Sequence, residues 1–263
     1  MKTLLATSIL LASTSAFAHN ASFSTDSCNV EIEGGISITN DSLTFSKDKK
    51  SLYKIENNEL FVSDKKVQLT DSQRSLLTQY STSIRAVVPE VKGVALDAMD
   101  LAVDGVNLAF NELLGEGNSV GRELTTELGK LRSEIQFKFD ENKTISFDED
   151  GFDGEEFFGE EFEQRIESLV ETTITNSMGS LLIAVGQELL FSGGDPDAFE
   201  ARMEKFGEQI EYEMESRGEQ IEKRGEALCG SIANIDNIEE LLKSSIDELS
   251  DTNFLTVKDK RSI

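Results

Sequence analysis

The chain has 263 residues, with 50 acidic against 25 basic side chains and a formal net charge of −25. A surface this negative repels nucleic acid and anionic lipid headgroups, because both are bound through cationic contacts. It suits solubility, divalent cations or basic partners.

Residues 1–18 read as a secretory signal. Lys2 supplies the positive n-region, residues 4–12 a short apolar h-region, and Ala16-Phe17-Ala18 a small-x-small cleavage site. Cleavage makes His19 the first mature residue and leaves 245 residues, with 24 basic against 50 acidic side chains. The apolar run is too short to span a membrane. A lipoprotein signal needs a cysteine directly after the cut, and the first is Cys28. A later apolar run, 181–191, contains Gln187 and Glu188 and is also too short. No transmembrane segment is therefore expected after signal removal. Two cysteines remain, Cys28 and Cys229. Outside the reducing cytoplasm their natural reading is one intramolecular disulfide, structural because a C-x-x-C motif is absent.

Residues 19–69 are predicted as a small β-meander. Val30, Ile32, Ile36, Ile38, Leu43 and Phe45 fall in short alternating runs broken by Gly34-Gly35 and Asn40-Asp41. Leu52, Tyr53 and Ile55 precede the turn Asn57-Asn58, and Leu60 and Val62 follow it. Asp64-Lys65-Lys66 then turns the chain toward Val67 and Leu69.

From Thr70 the period becomes helical, and residues 70–250 are predicted as a helical domain. Thr70-x-x-Gln73 is a capping box. Leu76, Leu77, Tyr80, Ile84, Val87 and Val88 line one face, up to Pro89, which is expected to stop or re-aim the helix and start the next. An alanine-rich stripe from Val91 to Leu113 follows and ends at Gly115-Glu116-Gly117. A third helix from Ser119 carries Leu124, Leu128, Leu131 and Ile135. Phe137-Lys138-Phe139 and Thr144-Ile145-Ser146-Phe147 are expected to form a hairpin across Glu141-Asn142. The acidic run 148–156 reads as a loop.

A fourth helix places Phe158, Phe162, Ile166, Leu169, Thr173, Leu181 and Val185 on its inner side. Asp195-Pro196 opens a charged fifth helix toward Cys229, and a last helix holds Ile238, Leu241, Leu242, Ile246 and Leu249. The tail 251–263 is expected to be loosely held. In the fifth helix Gly207-Glu208-Gln209-Ile210-Glu211 recurs as Gly218-Glu219-Gln220-Ile221-Glu222 after eleven residues. That period keeps a narrow apolar seam straight along a helix packed on a neighbour. A lipid-surface helix is the alternative, opposed by ten acidic against five basic residues between 196 and 228. The fold class expected is α+β, mainly α: a small N-terminal β-meander followed by a bundle of long amphipathic helices.

His19 is the only histidine, which excludes Ser-His-Asp and Cys-His nucleophilic machinery and zinc sites that use histidine. No P-loop and no G-x-G-x-x-G motif is present. No catalytic, cofactor or metal residue is assigned. The run Asp148-Glu149-Asp150-Gly151-Phe152-Asp153-Gly154-Glu155-Glu156 invites an EF-hand comparison, but neither register works. With Gly151 sixth, positions one and twelve are Ser146 and Phe157; with Gly154 sixth, position three is Gly151. A solvating loop is the preferred reading, and a weak divalent-cation site the alternative.

The signal, Cys28, the run Lys65-Lys66-Val67-Gln68-Leu69-Thr70 and the following Gln73-Arg74-x-x-Leu77-x-x-Tyr80 resemble the YggN-like family of uncharacterised proteobacterial periplasmic proteins. Val88-Pro89-Glu90-Val91 and Cys229 fit the same pattern. The resemblance implies a Gram-negative periplasm and no particular reaction. Two functions follow as expectations. The first is a non-enzymatic binding or interaction factor of the cell envelope, scaffold-like or chaperone-like, whose partner is a periplasmic or envelope protein. The second is a carboxylate-based or divalent-cation-assisted hydrolase.

Overall fold

The computed structural model describes residues 21–140, 143–148, 151–152 and 196–260, with helical positions at intervals from 164 to 186. The signal segment with His19, the turn Glu141-Asn142, most of the acidic run and the opening of the fourth helix lie outside the described residues.

Among the described residues, ten strands precede, divide and follow the helices. They are β1 (Ala21–Ser24), β2 (Cys28–Ile32), β3 (Gly35–Ile38), β4 (Ser42–Lys47), β5 (Lys50–Glu56), β6 (Glu59–Val62), β7 (Lys65–Lys66), β8 (Ile145–Asp148), β9 (Gly151–Phe152) and β10 (Leu255–Asp259). Among the described residues, the helices with continuous bounds are α1 (Asp71–Leu114), α2 (Ser119–Lys138) and α3 (Pro196–Ser245), and a 3-10 turn covers Asp247–Leu249. One antiparallel sheet runs β7-β6-β5-β4-β3-β8-β9 and a smaller one β1-β2-β10. The architecture is α+β and mainly α, as the change of period at Thr70 predicts.

The meander follows from alternation and turn chemistry. Leu43, Phe45, Tyr53, Ile55 and Leu60 point to one face and are buried, while their neighbours are not. The turns Asp48-Lys49, Asn57-Asn58 and Ser63-Asp64 have positive φ at both positions, the backbone of two-residue hairpin loops that match strand twist. Lys65-Lys66 is thereby moved from the expected turn into β7. Gly34 has φ +90°, and a Cβ there would collide with the Ser46 carbonyl oxygen. Gly34→Ala should therefore cost about 1–3 kcal/mol. The measurement is the denaturation midpoint, with the denaturant slope unchanged.

The sheet and the helices share one core. The inner face of β4–β6 packs on Leu77, Tyr80 and Ile84 of α1 and on Ile235, Ile238, Leu242 and Ile246 of α3. Phe45 stacks on Tyr53 at 4.3 Å and meets Phe254 edge-on at 5.0 Å. A second cluster, Met99, Leu128, Leu131, Ile135, Phe139 and Ile145, fixes α2 against α1. The capping box at Thr70 and Gln73 is formed, and Gln73 also donates to the Ser245 carbonyl at 2.5 Å, tying the start of α1 to the end of α3.

Both helix pairs are antiparallel and their register is explicit. Asp97 pairs with Arg224 and Asp104 with Arg217, so seven residues forward on α1 match seven back on α3. Asp100 binds Arg132 at 2.6 Å, and Asn107 accepts from Thr125 at 3.0 Å, the same seven-residue step against α2. At 44 and 50 residues, α1 and α3 measure about 66 and 75 Å. They form a helical arm that starts in the sheet core and leaves it behind.

Several expectations are corrected. Pro89 lies inside α1 and does not stop it. It is on the exposed side of the helix, where its missing N–H removes one backbone bond without ending the helix. The expected fifth and last helices are a single helix, because the seam through Cys229, Ile232, Ile235, Ile238 and Leu242 never breaks spacing. Phe137 and Lys138 finish α2 and Phe139 is its buried C-cap, so the hairpin with residues 144–147 does not form. β8 pairs instead with β3, Ile36 opposite Phe147 and Ile38 opposite Ile145. Within the acidic run, Asp148 and Gly151 are paired strand residues rather than loop. The tail is not loose: β10 pairs with β2 from Leu255↔Ile32 to Asp259↔Cys28. Such long-range pairings have no local sequence signal.

Candidate functional site

The two cysteines assigned from sequence are brought together. Cys28 on β2 and Cys229 on α3 are both buried, at disulfide distance, with Cα atoms 6.5 Å apart, inside the usual span. Beside them the Ser27 hydroxyl donates to the Glu226 carboxylate, which also accepts the Ser27 amide at 3.3 Å. The Thr25 hydroxyl accepts the Cys28 amide at 3.2 Å and so sets the turn before β2.

The most unusual polar group is Glu239, 2% exposed in the core of α3. One carboxylate oxygen accepts the Phe254 amide at 2.7 Å and the other the Leu255 amide at 3.0 Å. Burial pushes its pKa up to about 7, against the opposing pull of those two amides and of Lys243. One turn earlier Asp236 accepts the Val257 amide at 3.1 Å and is likewise raised, chiefly by burial. The Tyr53 and Tyr80 hydroxyls meet at 3.3 Å nearby, and burial raises both well above the ordinary phenol value. Both oxygens of Glu239 are thus committed to the chain entering β10, which makes it a clamp. Sequence reasoning passed over it, although a signal existed. Glu239 occupies the apolar stripe of α3, four residues after Ile235 and three before Leu242.

Clefts open on the described surface, and three of them are notable. One of them, about 740 Å³, is a shallow furrow between α2 and helical residues 164–172. Its carboxylates are partnered in part: Glu134 pairs with Arg165 at 3.2 Å and Glu127 with Lys130 at 2.5 Å. The other two, about 390 and 180 Å³, lie on either side of Arg85. Arg85 donates to the Thr39 carbonyl and, at 3.1 Å, to the Ser42 carbonyl, so the turn between β3 and β4 holds its guanidinium in place. The larger side is lined by Asn40, Asp41, Asn57, Asn58 and Ser81. The smaller is lined by Thr39, Asn40, Val88, Ile145 and Lys143.

Along the arm, carboxylates act as struts. Asp97, Asp100 and Asp104 each meet an arginine of a neighbouring helix, and the bidentate bond from Arg132 holds Asp100 below its ordinary range. Among the described residues, no three His, Cys, Asp or Glu side chains are grouped to hold a metal ion, and no helix is long and apolar enough to cross a membrane.

No curated protein and no solved structure matches this chain. A family model matches residues 28–255, from the first cysteine to the start of β10, and so includes the sheet, the arm, both cysteines and Glu239. The chain therefore belongs to a family of proteins of unknown function, DUF2884.

Proposed function

We propose that the chain is exported to the periplasm of a Gram-negative cell, loses residues 1–18, and works there as a non-enzymatic interaction factor of the envelope. The arm is its working part, in a scaffold-like or chaperone-like role. The observation that carries this reading is the long antiparallel pair α1–α3, held in one register, together with large apolar side chains in the open on α3 and at helical positions beyond α2. Tyr212 on α3 is 76% exposed, and Met178, Leu182 and Ile183 are exposed at helical positions beyond α2. Exposed apolar groups on a stiff helical support suit recognition of a partner's apolar face. Half-buried Met203, Phe206 and Met214 along the α3 seam add adaptable contact surface. The pairing of Cys28 with Cys229 supports an oxidising compartment.

Site-specific photo-crosslinking in living cells tests the reading. A photoreactive amino acid replacing Tyr212 or Leu182 should give the same discrete adduct, and one replacing Asp64 at a hairpin tip should give none. Equal labelling from all three positions, or no adduct from Tyr212 and Leu182, would contradict it.

A further inference from the structure

Among the described residues, three half-buried basic side chains at the junction of sheet and arm have no carboxylate partner: Arg85, Lys92 and Lys143. In a chain with twice as many acids as bases this is unexpected, since Arg132, Arg217, Arg224, Lys54 and Lys243 all have carboxylate partners. The three cations spend their donors on weaker acceptors. Arg85 takes two backbone carbonyls, Lys92 takes the Phe139 carbonyl at 3.0 Å, and Lys143 sits over the Phe137 ring. Arg85 and Lys92 are seven residues apart on α1 and therefore on one face, about 10 Å along it.

We propose that the cleft of about 180 Å³ between β3, β8 and α1 binds a small organic carboxylate, seated on Arg85 and Lys143. Partial burial has stripped these cations of some water, and no carboxylate among the described residues pairs with them. A bound anion recovers that cost through charge-assisted hydrogen bonds in a poorly solvated site. The guanidinium has donors to spare after serving the Thr39 and Ser42 carbonyls, and it can meet a carboxylate side-on. Ile38, Val88, Pro89 and Ile145 supply an apolar lining, so the ligand is a carboxylate with a short hydrocarbon body rather than a bare inorganic anion. Thr39 and Asn40 offer a hydroxyl and an amide at the same cleft. This site stands independently of the arm's proposed partner.

Calorimetry with benzoate and hexanoate, set against benzyl alcohol, hexanol and inorganic phosphate, tests the assignment on the whole chain in about 0.15 M salt, where distant acidic charges are screened. Saturable binding of the carboxylates alone is expected. Lys143→Gln should weaken it by about tenfold, the worth of one charge-assisted contact, and Arg85→Gln should abolish it. Because Arg85 also holds the turn 39–42, its variant is checked by circular dichroism; Lys143→Gln leaves that turn intact. Three results would overturn the proposal: no saturable binding of either carboxylate, equal binding by Lys143→Gln, or neutral analogues binding as well. Phosphate binding as tightly as benzoate would overturn the organic class.

Discussion

Replacing Cys28 and Cys229 together with serine should lower the melting temperature by about 10–20 °C while leaving a folded protein. The cross-link joins residues 201 apart, and closing a loop of that size removes roughly 5 kcal/mol of chain entropy from the unfolded state. For a chain of this length each kcal/mol moves the midpoint by about 2–4 °C. The fold should survive because the shared core and the β2–β10 pairing are non-covalent and remain. The Ser27–Glu226 bonds hold the same junction in the variant. Scanning calorimetry of the oxidised and the serine proteins measures the shift. A difference under about 3 °C would mean that the unfolded chain is already compact around this junction.

Glu239→Ala should cost about 2–5 kcal/mol, because it strands the buried amides of Phe254 and Leu255, each an unpaired donor worth about 1–3 kcal/mol. The same residue sets a pH dependence of definite sign. Its ordinary value is 4.5 and its folded value about 7. Between these limits the folded chain keeps a proton that the unfolded chain has released, so stability falls as pH rises from about 4.5 to about 7. The integrated loss is about 3 kcal/mol. The groups that face Glu239 are Tyr53 on β5, Tyr80 on α1, and Asp236 and Lys243 on α3. Asp236, raised mainly by burial, adds a slope of the same sign. Glu239→Gln keeps one acceptor and cannot ionise. Its unfolding free energy, followed by denaturant titration from pH 5 to 8, should lose most of the slope. An undiminished slope in that variant would assign the dependence to another group.

The parts of the fold visible in the sequence are those fixed by neighbours along the chain. Alternation at Leu43, Phe45, Tyr53 and Ile55, the turn Asn57-Asn58, and the capping box at Thr70 and Gln73 each carry their own local chemistry. The stripe Leu124, Leu128, Leu131 and Ile135 is buried throughout, as its spacing requires. What local patterns could not reveal is which strands meet across great separations. β8 completes a sheet begun a hundred residues earlier, and β10 closes on β2 from the far end of the chain. Pro89 misled because a proline is read as a break unless its solvent-facing side is known. The Arg85 cleft was illegible for a similar reason. Residues 39–42, 85 and 143 are brought together only by tertiary structure, and none belongs to a motif. Glu239 was within reach, since an acid in an apolar stripe marks either a partner or a break in the pattern.

The proposed export into an oxidising compartment would account for both the closed cysteine pair and the proposed role at the envelope. Intact-mass and peptide mass spectrometry of the protein from an osmotic-shock extract tests this most directly. The expected result is one species beginning at His19, without free thiols, yielding a cross-linked peptide pair containing Cys28 and Cys229. A chain that retains Met1, stays with the cytoplasmic fraction and carries two reactive thiols would contradict it.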